Sequence, residues 1–135
     1  MGYIYVVTPV GNELRPIDLD KRCFDGRRPY PPEVNHNNVK LGKTERPIHH
    51  RHREYKKILH NLIFKPIIYI NNLNELKEFE DHLKRNCFSK YIKDFQNKTK
   101  RTTREWMEGI DIDEVVKTTL KEYNKNKINW IKKEK

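Results

Sequence analysis

Two short segments decide the fold: Tyr3-Ile4-Tyr5-Val6-Val7-Thr8, closed by Pro9, and Val39-Lys40-Leu41-Gly42-Lys43-Thr44. The first is dense in β-branched and aromatic side chains, which suit a pleated, half-buried surface, and reads as a strand. The second reads as a short strand from Asn38 that ends at Gly42. A third strand is expected over Ile63–Ile70, where Pro66 lacks an N–H and so implies an edge position or a bulge. Helical signals lie between and after these strands. Thr44 can cap a helix over 45–61, with Pro47 tolerated in the first turn. Asn72, with Glu75 three residues on, resembles a capping box and opens a helix over 72–88. Acidic residues at the start of a last helix, from about Asp113 into the tail, suit the helix dipole. Residues 11–38 hold Gly11, Gly26, four prolines and the Asn35-His36-Asn37-Asn38 cluster, and read as a long excursion without regular structure. Residues 89–104 read as a polar, basic loop. The expected class is α+β.

Composition narrows the function. The 135 residues include 29 Lys+Arg against 19 Asp+Glu, a formal net charge of +10. The length suits one domain. With 35% hydrophobic and 36% charged residues, a large core is excluded and a small core under a wet, basic surface is expected. The positive excess points to a polyanion, above all nucleic acid. No apolar run approaches the ~20 residues that a membrane helix needs. Cys23 and Cys87 are too few for a disulfide framework, which favours a reducing, intracellular compartment.

Helical geometry singles out two charges. At ~100° per residue, the first helix gathers Ile48, Tyr55, Ile58, Leu59 and Leu62 on one face, and Arg51 falls inside that arc. The second gathers Leu73, Leu76, Leu83 and Cys87, with Glu80 in the same stripe. Charges on core-facing positions cost free energy unless each finds a partner. The two groups either pair with each other, snorkel past the core edge, or open into a cleft where Glu80 holds a divalent cation and Arg51 faces a phosphate.

With these residues in place, the chain resembles the GIY-YIG nuclease superfamily, and most closely its phage and large-virus branch of T5orf172-like domains. Tyr3-Ile4-Tyr5-Val6-Val7 and Val39-Lys40-Leu41-Gly42-Lys43-Thr44 look like the paired motifs. Arg51-His52-Arg53-Glu54-Tyr55 is similar to the arginine helix, Glu80-Asp81-His82-Leu83-Lys84 with Phe88 to the glutamate helix, and Glu105-Trp106-Met107 to the closing signature. The order agrees over about residues 2–107. The resemblance implies a three-stranded antiparallel sheet flanked by helices, in a nuclease domain over 1–110; the basic helix over 111–135 lies beyond it and is expected to pack on the same domain. It also implies metal-dependent hydrolysis of a DNA phosphodiester. Tyr5 would lie beside the attacking water, Arg51 would contact the scissile phosphate, and Glu80 would hold a single Mg²⁺ or Mn²⁺. Lys40 stands where the second motif commonly has tyrosine, which leaves Tyr5 as the proton acceptor. The same fold without cleavage, as a nucleic-acid-binding module, is the alternative.

The chemistry suits these residue types. A carboxylate-held cation acts as a Lewis acid, and a guanidinium stabilises phosphate oxygens as a bidentate donor. Lys40 and Lys43 near Tyr5 are expected to lower its pKa from about 10. Lys43, His52, Lys98, Lys100, Arg101 and Arg104 are candidate contacts to the nucleic-acid backbone. His49, His50 and His52 span too little helix to converge on zinc, and Cys23 and Cys87 show no ligand-pair spacing. Trp106 and Tyr69 are expected in the core, and Val116, Leu120, Tyr123 and Trp130 form a packing stripe on the last helix. The abundance of Lys, Asn and Ile suits an AT-rich coding sequence, compatible with a viral or phage source and an infected cell.

Overall fold

A computed structural model describes residues 1–16, 33–96 and 102–133. The elements run β1 (Gly2–Pro9), β2 (Arg15–Pro16), β3 (Glu33–Val34), β4 (Asn38–Thr44), α1 (Ile48–Leu59), β5 (Leu62–Ile70), α2 (Leu73–His82), a π-helical turn (Leu83–Cys87), β6 (Ile92–Gln96), β7 (Thr102–Glu108) and α3 (Ile112–Lys133). The α+β class and the antiparallel sheet are as expected. The sheet is larger, with five strands in the order β5-β1-β4-β7-β6. The three expected strands form one side of it, with β1 central: Tyr5 pairs with Gly42 of β4 and with Pro66 of β5. Pro66 meets both expectations, since β5 is an edge strand and its register slips opposite Ile4 and Tyr5.

The two additional strands replace the loop expected over 89–104. Strand β7 joins the sheet by pairing Val39 with Met107 and Lys40 with Trp106, and β6 folds back on it. The Glu105-Trp106-Met107 signature is therefore a sheet strand beside the second motif. The excursion is also not wholly irregular, because Arg15 pairs with Val34 in a two-strand ladder at its base. The Arg15 guanidinium donates to the carbonyls of Val10, Leu59 and Asn61, which ties this base to the end of α1.

Strand alternation splits the core in two. Ile4, Val6, Val39, Leu41 and Met107 point to one face, where Leu76, Phe79 and Leu83 of the α2 segment and Val115 of α3 cover them. Tyr5, Val7 and Trp106 point to the other face, under Tyr55 and Leu59 of α1. Trp106 is core as expected. Tyr69 is not: it is 51% exposed on the edge strand, where its ring meets Tyr3 edge-on. On α3, Val116 and Tyr123 of the expected stripe pack half-buried against the α2-covered core beside the buried Val115 and Thr119, whereas Leu120 is 40% exposed; the Trp130 side chain lies outside the described residues.

Two helix starts contrast. Asn72 caps α2 as expected, its side chain accepting from the N–H groups of Asn74 and Glu75. Thr44 does not cap α1. It remains in β4, its hydroxyl accepts from Arg46 N–H across a turn, and α1 starts later, behind Pro47. Among the described residues, no helix is long and apolar enough to cross a membrane.

Candidate nucleic-acid phosphate site

The α1 face of the sheet carries the polar cluster. Tyr5, although 2% exposed, reaches across to β4, and its phenol lies over Gly42. A Cβ on Gly42 would stand 2.5 Å from the Tyr5 hydroxyl oxygen. This is the physical reason for glycine in the second motif: the phenol occupies the space a side chain would take. Phe64 of β5 stacks against the Tyr5 ring at 5.1 Å.

Above this ring, α1 supplies the partners. Tyr55 is also buried, and its hydroxyl lies 3.0 Å from that of Tyr5. Lys40, adjacent on the same face of β4 and 5% exposed, holds its ammonium 4.9 Å from the centre of the Tyr55 ring. Arg51 lies one turn before Tyr55, its side chain 27% exposed. It donates through Nη1 to Glu54 at 3.1 Å, while its buried Nε has no hydrogen-bond partner. The other carboxylate oxygen of Glu54 meets Arg46 at 2.6 Å. His52 lies flat against Phe64 at 4.8 Å, at the exposed rim. The site therefore has a buried floor of two phenols and a lysine, under an accessible rim of two guanidiniums and an imidazole.

The electrostatics run against one expectation. Burial pushes the Tyr5 phenol well above its ordinary range, Tyr55 adds to that rise, and Lys40 and Arg51 pull only partly back. Tyr5 therefore keeps its proton, and the expected lowering is corrected. Lys43 does not help, because strand alternation places it with Val39 and Leu41, on the face opposite Lys40.

Glu80 stands apart from this cluster. Its helix packs through Leu76, Phe79 and Leu83 on the face of the sheet opposite Tyr5. Its carboxylate is 3.7 Å from the Lys84 ammonium, one turn on. Arg51 pairs with Glu54, so the buried Arg51–Glu80 pair is not the arrangement adopted. A divalent ion bridging Glu80 to a phosphate at Arg51 does not fit this geometry. Lys98, Lys100 and Arg101 lie outside the described residues, and Arg104 is described only through its backbone in β7.

No family model, curated protein or solved structure matches the chain.

Tyr55 and Glu54 belong to the site and were not assigned to it from sequence. Tyr55 could have been found, since it lies four residues after Arg51 on the same helical face. Glu54 carries no signal beyond its place between basic neighbours.

Proposed function

We propose that this protein engages the phosphodiester backbone of DNA on the α1 face and cuts it there, as an endonuclease of GIY-YIG type. The observation that carries the reading is the convergence of Lys40 and Arg51 on the Tyr5–Tyr55 hydroxyl pair. Two guanidiniums at the rim, Arg46 and Arg51, already grip one anionic group, the Glu54 carboxylate. A backbone phosphate offers the same kind of oxygen to the same fork. An arriving phosphate that drew Arg51 outward would also give its unpaired Nε an acceptor. Lys40 adds positive potential from the floor, where burial weakens screening. A protonated Tyr5 acts as a hydrogen-bond donor that fixes Tyr55, or through it a water, beside the phosphate. The hydrolytic half of the proposal rests on the resemblance of five motifs in order.

A second reading, a DNA-binding module that does not cut, is favoured by two observations. Burial keeps Tyr5 protonated, so it is a poor base, and α2, with Glu80, packs on the other face of the sheet. One experiment separates the readings: supercoiled plasmid is incubated with the protein and Mg²⁺ or Mn²⁺, with EDTA and with Glu80→Ala or Arg51→Ala. Nicking that EDTA and Arg51→Ala both abolish supports cleavage. If Glu80→Ala abolishes it as well, Glu80 serves the ion in a rearranged, DNA-bound state. Salt-sensitive DNA retention without nicking supports the second reading, and absence of both overturns each.

A further inference from the structure

On the opposite side of the sheet, the end of α2 meets α3 in a cluster the phosphate site does not use. His82, Cys87 and Glu122 each bring one ligating atom to a common point, all within 4.8 Å of one another. We propose that these three side chains bind a divalent transition-metal ion of the zinc type, pinning α3 to the π-helical turn and leaving a fourth position for water.

The backbone explains how the cluster arises. Residues five apart on a regular α-helix point about 140° apart at ~100° per residue, so Cys87 would face away from His82. The turn Leu83–Cys87 is π-helical, closed by Phe88 N–H donating to the Leu83 carbonyl. This wider turn brings residues five apart back over one another, and such insertions recur at functional sites. It returns Cys87 to the side of His82, facing Glu122 from α3.

The donor chemistry fits zinc. Bonds of about 2.0–2.1 Å to imidazole nitrogen and carboxylate oxygen and about 2.3 Å to sulfur put tetrahedral ligand atoms roughly 3.3–3.6 Å apart. His82 Nε2 and Glu122 Oε2 are already 3.0 Å apart and all three ligand atoms lie within 4.8 Å, so closing the set takes about 1 Å of side-chain movement. A mixed sulfur, nitrogen and oxygen set suits this borderline ion better than Mg²⁺ or Ca²⁺, which take oxygen ligands. A thiolate, a carboxylate and a neutral imidazole with a divalent ion sum to zero net charge. The seated ion is fully neutralised, as this half-buried place requires.

A supporting shell is present. The Asn86 amide contacts His82 Nδ1 at 3.0 Å, and turned with its oxygen inward it would hold the proton on Nδ1 and leave Nε2 free to ligate. Asn126 donates to the Glu122 backbone carbonyl at 2.8 Å and approaches its carboxylate at 3.4 Å. Phe79 stacks beside the His82 ring. Burial and the Glu122 carboxylate hold the half-buried Cys87 thiol above its ordinary pKa, and a metal-bound thiolate must give that proton up. Binding therefore releases protons.

The test uses the full chain, stripped with chelator and titrated with Zn²⁺ and with Co²⁺. One equivalent of Co²⁺ is expected to give a thiolate-to-metal charge-transfer absorption. Cys87→Ser removes it, Glu122→Gln weakens binding, Asn86→Ala lowers affinity roughly 10–100-fold, and Cys23→Ser leaves it intact. Saturating Zn²⁺ is expected to slow alkylation of wild-type Cys87 by about tenfold or more, mapped by mass spectrometry. That readout needs no variant, so a misfolded Cys87→Ser does not rescue the proposal. An unchanged alkylation rate, or an absorption that depends on Cys23 instead, would overturn it.

Discussion

Gly42→Ala should damage the fold through one contact. Tyr5 and Gly42 are directly opposed across β1 and β4. The new methyl would stand 2.5 Å from the Tyr5 hydroxyl oxygen and 2.6 Å from the ring carbon that bears it. Ordinary contacts are about 3.5–4.0 Å, so the phenol must retreat by roughly 1 Å. It has little room, with Phe64 stacked at 5.1 Å and Tyr55 held at 3.0 Å. Neither strand can slide without breaking the β1–β4 ladder. Overpacking of this kind costs about 1–3 kcal/mol, and loss of the phenol pair about 1 kcal/mol more. The expected destabilisation is therefore roughly 2–4 kcal/mol. Urea unfolding reads it as a lower midpoint at unchanged slope. Tyr5→Ala removes the obstructing ring, and in that background Gly42→Ala should cost less than about 1 kcal/mol. A neutral Gly42→Ala, or the same cost in both backgrounds, would refute the argument.

Leu76→Ala opens a cavity beneath Ile4 and Leu41 on the other face and should cost about 2–5 kcal/mol, again by urea unfolding. Alkaline stability should report Tyr5. Its folded pKa is raised, so its contribution is fully present below the unfolded value of about 10 and is lost as pH rises above it. Tyr5→Phe should then lose stability less steeply above that pH, and tyrosinate absorbance should lack the last-titrating phenol.

What was legible in the sequence follows from where the signal lies. Strands β1, β4 and β5 announce themselves through β-branched and aromatic runs, and Pro66 marks its edge and bulge. The β6–β7 hairpin does not, because Lys93, Asp94, Gln96, Thr102, Thr103 and Arg104 show no apolar alternation. It forms through pairing with β4, a tertiary effect. Arg51 was visible as a charge within an apolar arc, and it does stand beside Tyr5. Glu80 obeyed the same wheel, but a wheel reports which way a side chain faces its own core, not which face of the sheet that core covers. Alternation along β4 would have separated Lys40 from Lys43. The His82, Cys87 and Glu122 cluster was illegible because α-helical spacing points Cys87 away and Glu122 lies on another helix.

The central claim is that a DNA phosphate is met at Arg51, over Lys40 and the two phenols. DNA affinity measured against salt tests it most directly, for wild type, Arg51→Ala and Lys121→Ala, the last an exposed lysine on the opposite-face helix α3. Arg51→Ala should weaken binding and make the slope of log affinity against log salt shallower by about 0.9, the loss of one neutralised phosphate, while Lys121→Ala leaves both unchanged. An Arg51→Ala protein that is folded yet binds with the wild-type affinity and slope would contradict the account.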